Sequence, residues 1–301
     1  VGPLGFGYYA RIGWHRATFR PRGIVHSFFW FVIPPTTRIL TIYDTFSYAD
    51  PGRVVHPAAR RLYRRLWAAI TQTPDVYVAI SEAVRRDIHR VFGVPWERIV
   101  VAPIGVDTGR FRPSAGARPP AFREDGRRTI LHVGHGYKRK GIHLLVEALG
   151  RLGAERFRLV RVGPQTDPAY IAAYRARAAE LGLDLVECGV VPEDALPSYY
   201  AHADLLVFPS ADEGAGLPPL EAMASGTNVV ASDIPTHREM CGDLAFYASA
   251  DPSSLAKAIE DALARPRPPE MLRAHAEEHS WARTADVYMR LYKELGVAGI
   301  P

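Results

Sequence analysis

The 301-residue sequence is short of cysteine, of lysine and of long apolar runs. Its two cysteines, Cys188 and Cys241, cannot build a disulfide framework or the four-ligand zinc site that paired Cys motifs announce, and they point to a reducing, cytoplasmic home. The longest apolar stretch, Phe28 to Pro35, falls far below the ~20 residues a membrane helix needs. No span is expected, and membrane contact would be peripheral, at the inner face. No basic start, apolar core and small-residue cleavage site opens the chain, which begins with Val1 in place of Met. A trimmed or incomplete N-terminus is the expectation. Repeats and low-complexity tracts are also absent.

What is present is an ordinary globular composition, with 48% hydrophobic and 23% charged residues and enough Gly and Pro (25 each) to supply many turns. At ~150 residues per domain the length suggests two domains. Charge divides them unequally. Residues 1–108 carry 14 Arg, no Lys and 7 acids, a net +7, whereas residues 109–301 carry 23 basic and 25 acidic residues, a net −2. The basic first part suits an anionic lipid surface, a phosphorylated acceptor or nucleic acid, and sign alone does not choose among them.

From Arg128 onward short β-branched runs alternate with amphipathic stretches. The strands read as 129–133, 157–162, 184–188, 204–208, 228–231 and 244–247, with helices over 142–152, 168–181, 193–202, 218–225 and 252–264. This is the βαβ rhythm of a doubly wound parallel sheet. The first part repeats it in fewer units: strands 38–43, 76–80 and 98–102, and helices 57–70 and 82–91, the latter opened by Ser81. Residues 109–127, rich in Gly, Pro and Arg, read as a linker between a domain at 1–108 and one at 128–279. A last helix over 280–295, with Trp281, Ala285, Tyr288, Met289 and Tyr292 near helical spacing, is expected to pack back on the first domain.

The most informative segment is SADEGAGLPPLEAMASG, residues 210–226. Pro218 and Pro219 suit the first helical positions, where a missing N–H costs nothing. Gly214 and Gly216 clear side chains from a ligand's approach, and free N–H groups at a helix start attract an anion such as a diphosphate. Glu213 and Glu221, with seven residues between them, bracket that anion site. Neutral hydroxyl-bearing groups are their natural partners.

This Glu-x7-Glu turn resembles the signature of the retaining glycosyltransferases of the large nucleotide-sugar family that includes bacterial mannosyl- and glucosyltransferases (glycosyltransferase group 1). VGHGYKRKG (133–141), VFPSADEGAGLPPLEAMASGTNVVASDIP (207–235), CGDLAFYASADPSSLAKAI (241–259), TIYDTFSYADP (41–51), ISEAVRRDI (80–88) and APIGVDTGRFRP (102–113) are similar to further stretches of that family. The resemblance implies an α/β GT-B fold: two Rossmann-like doubly wound domains facing a cleft, the N-terminal one here truncated. It implies transfer of a hexosyl group from a nucleotide diphosphate sugar to a glycan or lipid-linked acceptor, with no metal or other cofactor. By residue, it implies Glu213 on the transferred sugar, Glu221 on the ribose, and the amides of Gly214, Gly216 and Leu217 on the diphosphate. Lys140 and His135 would serve the phosphates, Gly189 and Val190 the nucleobase, and Tyr43 and Asp44 the acceptor side. Tyr43 stands where the family usually has a histidine, His135 where it has an arginine, and Ile104 where it has an asparagine.

Other motifs carry less. His275, Glu278 and His279 spell H-x-x-E-H, yet only Asp286 and Glu294 follow as acids, so a polar helix face is expected over a zinc site. GHGYKR (134–139) lacks the last glycine of a dinucleotide fingerprint, and no P-loop motif occurs. Helix 57–70 sets Arg60, Arg61, Arg64 and Arg65 beside Leu62, Leu66 and Trp67, which suits either core packing with a solvated basic face or rest on an anionic membrane. Two rival functions stay open: a non-catalytic nucleotide-sugar-binding protein, and a sugar-nucleotide epimerase or hydrolase on the same fold.

Overall fold

The computed structural model describes residues 24–28, 37–45, 74–113 and 116–296. The helix expected over 57–70 and the glycine-rich start at 1–10 lie outside the described residues. The chain divides into two compact units, one of residues 1–104 with 282–301, the other of residues 105–281.

In the first unit four parallel strands, β1 (Val25–Ser27), β2 (Thr37–Ile42), β3 (Val76–Ala79) and β4 (Ile99–Val101), lie in sequence order. Helix α1 (Glu82–Phe92) follows β3 and is capped by Ser81, whose Oγ accepts from the Val84 amide at 3.1 Å. Helices α2 to α8 belong to the second unit, and α9 (Trp281–Glu294) returns to the first. Its Leu291 joins Ile39, Val78 and Ala102 in a buried cluster, flanked by Val287, Tyr288 and Tyr292. The two tyrosine hydroxyls also reach into the sheet: Tyr292 Oη lies 2.6 Å from His26 Nδ1, and Tyr288 Oη lies 3.0 Å from Thr41 Oγ1. The covering face is rotated from the one the sequence suggests. Trp281 and Ala285 are exposed, while Thr284 and Leu291 are buried. Aromatic size favours a stripe through Trp281, but Trp281 is still the last residue of the second unit.

The second unit holds six parallel strands, β5 (Arg128–Val133), β6 (Phe157–Val162), β7 (Asp184–Gly189), β8 (Leu205–Phe208), β9 (Val229–Ser232) and β10 (Phe246–Ala248), in the order β10-β9-β8-β5-β6-β7. The order reverses between β5 and β8, the place where open α/β sheets bind ligands. Helices α2 (Ile142–Arg151), α3 (Pro168–Glu180), α4 (Leu196–His202), α5 (Leu217–Ala224), α6 (Pro235–Cys241), α7 (Pro252–Ala264) and α8 (Pro269–Glu278) accompany the sheet. Its core packs Leu145, Leu149, Leu159, Val207 and Ile259 around Ile130. Aspartates at the N-caps fix two helix starts: Asp167 accepts from the Tyr170 amide, and Asp251 from the amides of Ser253 and Ser254.

Strand β6 is buried along its whole length although it carries Arg158 and Arg161. Both charges are matched, as burial requires. Arg158 reaches Asp125 and Asp184 at 2.7 Å each, and Arg161 reaches Glu187 at 3.3 Å.

Three features differ from the sequence expectation. Residues 109–127, read as a linker, belong to the second unit, because Phe111 and Phe122 are buried edge-on against Tyr200 and Tyr199. The helix expected from 193 begins at Leu196, since Pro192 to Ala195 form a separate turn closed by the Ala195 amide on the Pro192 carbonyl. Strand β10 begins at Phe246 instead of 244, because the Leu244 amide still closes a turn on Cys241. No helix among the described residues is long and apolar enough to cross a membrane.

Candidate active site

Two loops meet at the switch point, the one after β5 (residues 134–141) and the one after β8 (residues 209–216). They are laced by backbone: the Ala211 amide donates to the Arg139 carbonyl at 2.8 Å, and Arg139 Nη1 donates to the Asp212 carbonyl at 2.9 Å. Gly141 permits the approach. It has φ +70°, and a Cβ there would lie 2.2 Å from the Pro209 carbonyl oxygen.

Lys140 crosses this seam. Its Nζ sits 2.5 Å from Glu213 Oε1 and 5.0 Å from the centre of the Phe208 ring, with both side chains about nine-tenths buried (9% and 10% exposed). Arg139 Nη1 stands 3.6 Å from the same carboxylate oxygen. Burial lowers the Lys140 pKa, and the Glu213 charge pulls it back up. His135 is exposed and stacks on Tyr137 at 5.5 Å, its pKa lowered by burial and by Lys140.

Helix α5 starts at Gly216, which is left-handed (φ +71°) and offers no side-chain cap. Pro218 and Pro219 occupy the first turn, so of its first three residues only Leu217 carries a backbone N–H. A left-handed glycine, an uncapped start and the helix dipole together favour an anion. Glu221 lies one turn inside. Tyr200 Oη on α4 donates to Glu221 Oε2 at 2.5 Å, and burial raises the carboxyl above its usual range. The Tyr200 phenol is pushed well above its ordinary value by the same burial and stays a donor.

The structure thus brings Lys140, Glu213, Gly214, Gly216, Leu217 and Glu221 to one carboxyl edge of the sheet. His135 stands at its rim. Gly189 ends β7 on that same edge, two strands along from β5, and Val190 is 75% exposed there. Tyr43 and Asp44 follow β2 in the first unit, where Tyr43 is exposed. The His275 and His279 rings lie 5.1 Å apart at a tilt of 56°, but His275 Nε2 is held by the Met240 carbonyl, and no group of three His, Cys, Asp or Glu among the described residues could hold a metal ion.

Two residues at this edge escaped sequence reasoning. Tyr200 orients Glu221, yet in sequence it is an aromatic on an amphipathic helix. His237 on α6 is fully buried beneath Gly216: its Nδ1 lies 2.9 Å from the Ser232 carbonyl, and its Nε2 has no hydrogen-bond partner among the described residues. The helix that carries it was not foreseen, and only Pro235 at its first turn signals it.

The chain is similar to known proteins over most of its length. A family model described as glycosyl transferases group 1 matches residues 117–279, and one described as glycosyltransferase family 4 matches residues 4–110. An O-antigen chain mannosyltransferase, RfbU, of Salmonella typhimurium is 30% identical over 212 residues, covering 70% of this chain; the chain spans 56% of that relative's length. The solved sucrose-phosphate synthase of Thermosynechococcus elongatus is 25% identical with a TM-score of 0.76, covering 96% of this chain and 77% of its own. Anabaena HepE, solved in complex with UDP-glucose, superposes with a TM-score of 0.73 at 16% identity, covering 95% of this chain and 82% of its own, and shows the shared fold. Two Rossmann-like parallel sheets of the GT-B class, with the first family model covering more than half of the sequence, make this chain a member of the glycosyl transferases of group 1.

Proposed function

We propose that the chain is a retaining hexosyltransferase that moves a sugar from a nucleotide diphosphate donor to a glycan or lipid-linked acceptor without a metal ion. The observation that carries this is the uncapped, left-handed start of α5, bracketed by Glu213 and Glu221, with Lys140 buried against Glu213. The diphosphate occupies the N-terminus of α5, the ribose hydroxyls donate to Glu221, and Glu213 holds hydroxyls of the sugar. Tyr200 occupies one oxygen of Glu221 and leaves the other for the ribose. The HepE complex with UDP-glucose supports a nucleotide-sugar donor, and the net +7 of residues 1–108 supports an anionic acceptor or membrane surface.

In the transfer, the bond from the anomeric carbon to the diphosphate oxygen breaks while the acceptor oxygen bonds to the same face. The acceptor's proton passes to the departing phosphate. The protein contributes positioning and neutralisation of the growing negative charge, from Lys140 and the helix start. Lys140 is already desolvated and fixed by Glu213, so little reorganisation is required when the charge develops.

Incubation with UDP- and GDP-hexoses in EDTA, with free nucleotide followed over time, tests this. Slow nucleotide release that accelerates with a glycan or lipid-linked acceptor, and a product of unchanged anomeric configuration by NMR, are expected. Donor binding with no release would favour a non-catalytic binding protein, the alternative that Tyr43 raises. Loss of activity in EDTA that returns with a divalent cation would overturn the metal-free step.

A further inference from the structure

His237 is buried at the site with one ring nitrogen unused. Its Nδ1 lies 2.9 Å from the Ser232 carbonyl and 3.2 Å from Ser232 Oγ. The Ser232 hydroxyl hydrogen is committed to the Ser210 carbonyl, so it has none to give the ring. A carbonyl only accepts, so Nδ1 carries the hydrogen, and in the neutral ring Nε2 is a bare acceptor. Nε2 is buried, has no hydrogen-bond partner among the described residues, and lies 3.5 Å from where a Cβ on Gly216 would stand, under the residue that opens α5.

A bare acceptor beside an anion-binding helix start is a mismatch as long as the ring stays neutral. Protonation turns it into a match, since Nε2–H would donate to a phosphate oxygen with charge assistance. The charged and titratable neighbours set the balance. Glu213 favours the proton and Lys140 opposes it, while the Ser232 carbonyl at Nδ1 favours it; Phe208 packs against the ring at 5.4 Å and adds no charge. In the free protein burial dominates and the His237 pKa lies below its ordinary value. Two negative charges on a bound diphosphate would reverse the sum.

We propose that His237 takes up a proton at Nε2 from solvent when a nucleoside diphosphate settles at the start of α5, and then donates that hydrogen to a phosphate oxygen, so that donor binding is coupled to proton uptake. This rests on the reading of the site as a nucleotide-sugar site. It makes His237 a proton-dependent ligand of the leaving group, and it explains a polar atom otherwise stranded in the interior.

Calorimetric titration of the full chain with UDP and GDP, in buffers of different ionisation enthalpy, counts the protons taken up. The phosphate's own titration is common to all variants and cancels between them. Wild type should take up more protons than His237→Gln, whose amide can donate but cannot titrate, and than His237→Asn, which keeps the bond to Ser232. As pH rises from 6.5 to 8.5 the wild-type affinity should weaken relative to both variants, by up to about tenfold per pH unit. Equal proton counts and parallel pH profiles would overturn the proposal. Should both variants misfold, nitrogen-15 NMR of histidine-labelled wild type decides it: one Nε2 resonance should move from bare to protonated on adding UDP or GDP, and a resonance that stays bare overturns it. Failure of UDP, GDP and ADP alike to bind would instead sink the nucleotide-sugar reading itself, and the coupling with it.

Discussion

Lys140 answers to two demands that one experiment can separate. It balances the buried Glu213 carboxylate, and in the proposed transfer it would also neutralise the charge that grows on the leaving phosphate. Lys140→Ala should lower kcat by on the order of 10²–10³ while KM changes less, because a preorganised donor acts mostly in the transition state. Stability should fall as well, by up to about 3–5 kcal/mol, since removal of Lys140 leaves the buried Glu213 charge with Arg139 at 3.6 Å in place of a close ion pair. The double variant Lys140→Ala/Glu213→Gln should regain much of the melting temperature and none of the turnover. Equal turnover with a raised KM in Lys140→Ala would make the lysine a uniform binder. At this scale the sequence was legible in its geometry: Glu213 and Glu221, with seven residues between them around a Gly-Leu-Pro turn, stand on either side of the start of α5. Tyr200 and His237 were not legible, because their places at the site come from contacts with residues distant in sequence, Glu221 and Gly216. Nothing local distinguishes them from core aromatics.

At the scale of elements, the βαβ rhythm was readable because strands buried on both faces give runs such as LLVF, and aspartate caps with following prolines mark where α3 and α7 start. Short or irregular pieces were harder. Strand β1 has three residues, and helices α6 and α8 add to the second unit what periodicity alone did not reveal. Helix α9 shows the limit of an aromatic stripe: Trp281 is 49% exposed, while the smaller Leu291 is in the core. Truncation after His279 should nevertheless cost several kcal/mol, because it removes Leu291 outright and the partial cover of Val287, Tyr288 and Tyr292, at ~1.5–3 kcal/mol for each fully buried large side chain. Thermal melting checks this. A truncated protein that melts at the parent temperature would show that α9 adds nothing to the first unit.

At the scale of the whole molecule, one buried ring adds its own pH dependence to stability. His132 on β5 is fully buried, and burial, with Arg161 and Lys140 nearby, holds its pKa at about 3, far below the ordinary 6.5. Below pH 6.5 the unfolded chain binds a proton that the folded chain refuses, so stability falls as pH falls from 6.5 toward 3. The slope from this group approaches about 1.4 kcal/mol per pH unit. Denaturant unfolding from pH 7.5 to 5 should therefore show a shallower acid loss in His132→Leu than in wild type, and identical slopes would contradict the assignment. The two-unit organisation was visible in the charge contrast and in the repeated rhythm. The place where the chain passes between the units was not, because residues 109–127 look like a linker by composition and are held to the second unit by two buried phenylalanines.

A nucleoside diphosphate seated at the start of α5, with its ribose against Glu221, is the centre of the proposed function. Calorimetric titration of wild type and Glu221→Ala with UDP and GDP tests it most directly. At least one nucleotide should bind wild type, and Glu221→Ala should lose a charge-assisted hydrogen bond of ~1.5–3 kcal/mol, roughly a ten- to hundredfold weaker affinity. Binding of equal strength in both proteins would contradict it.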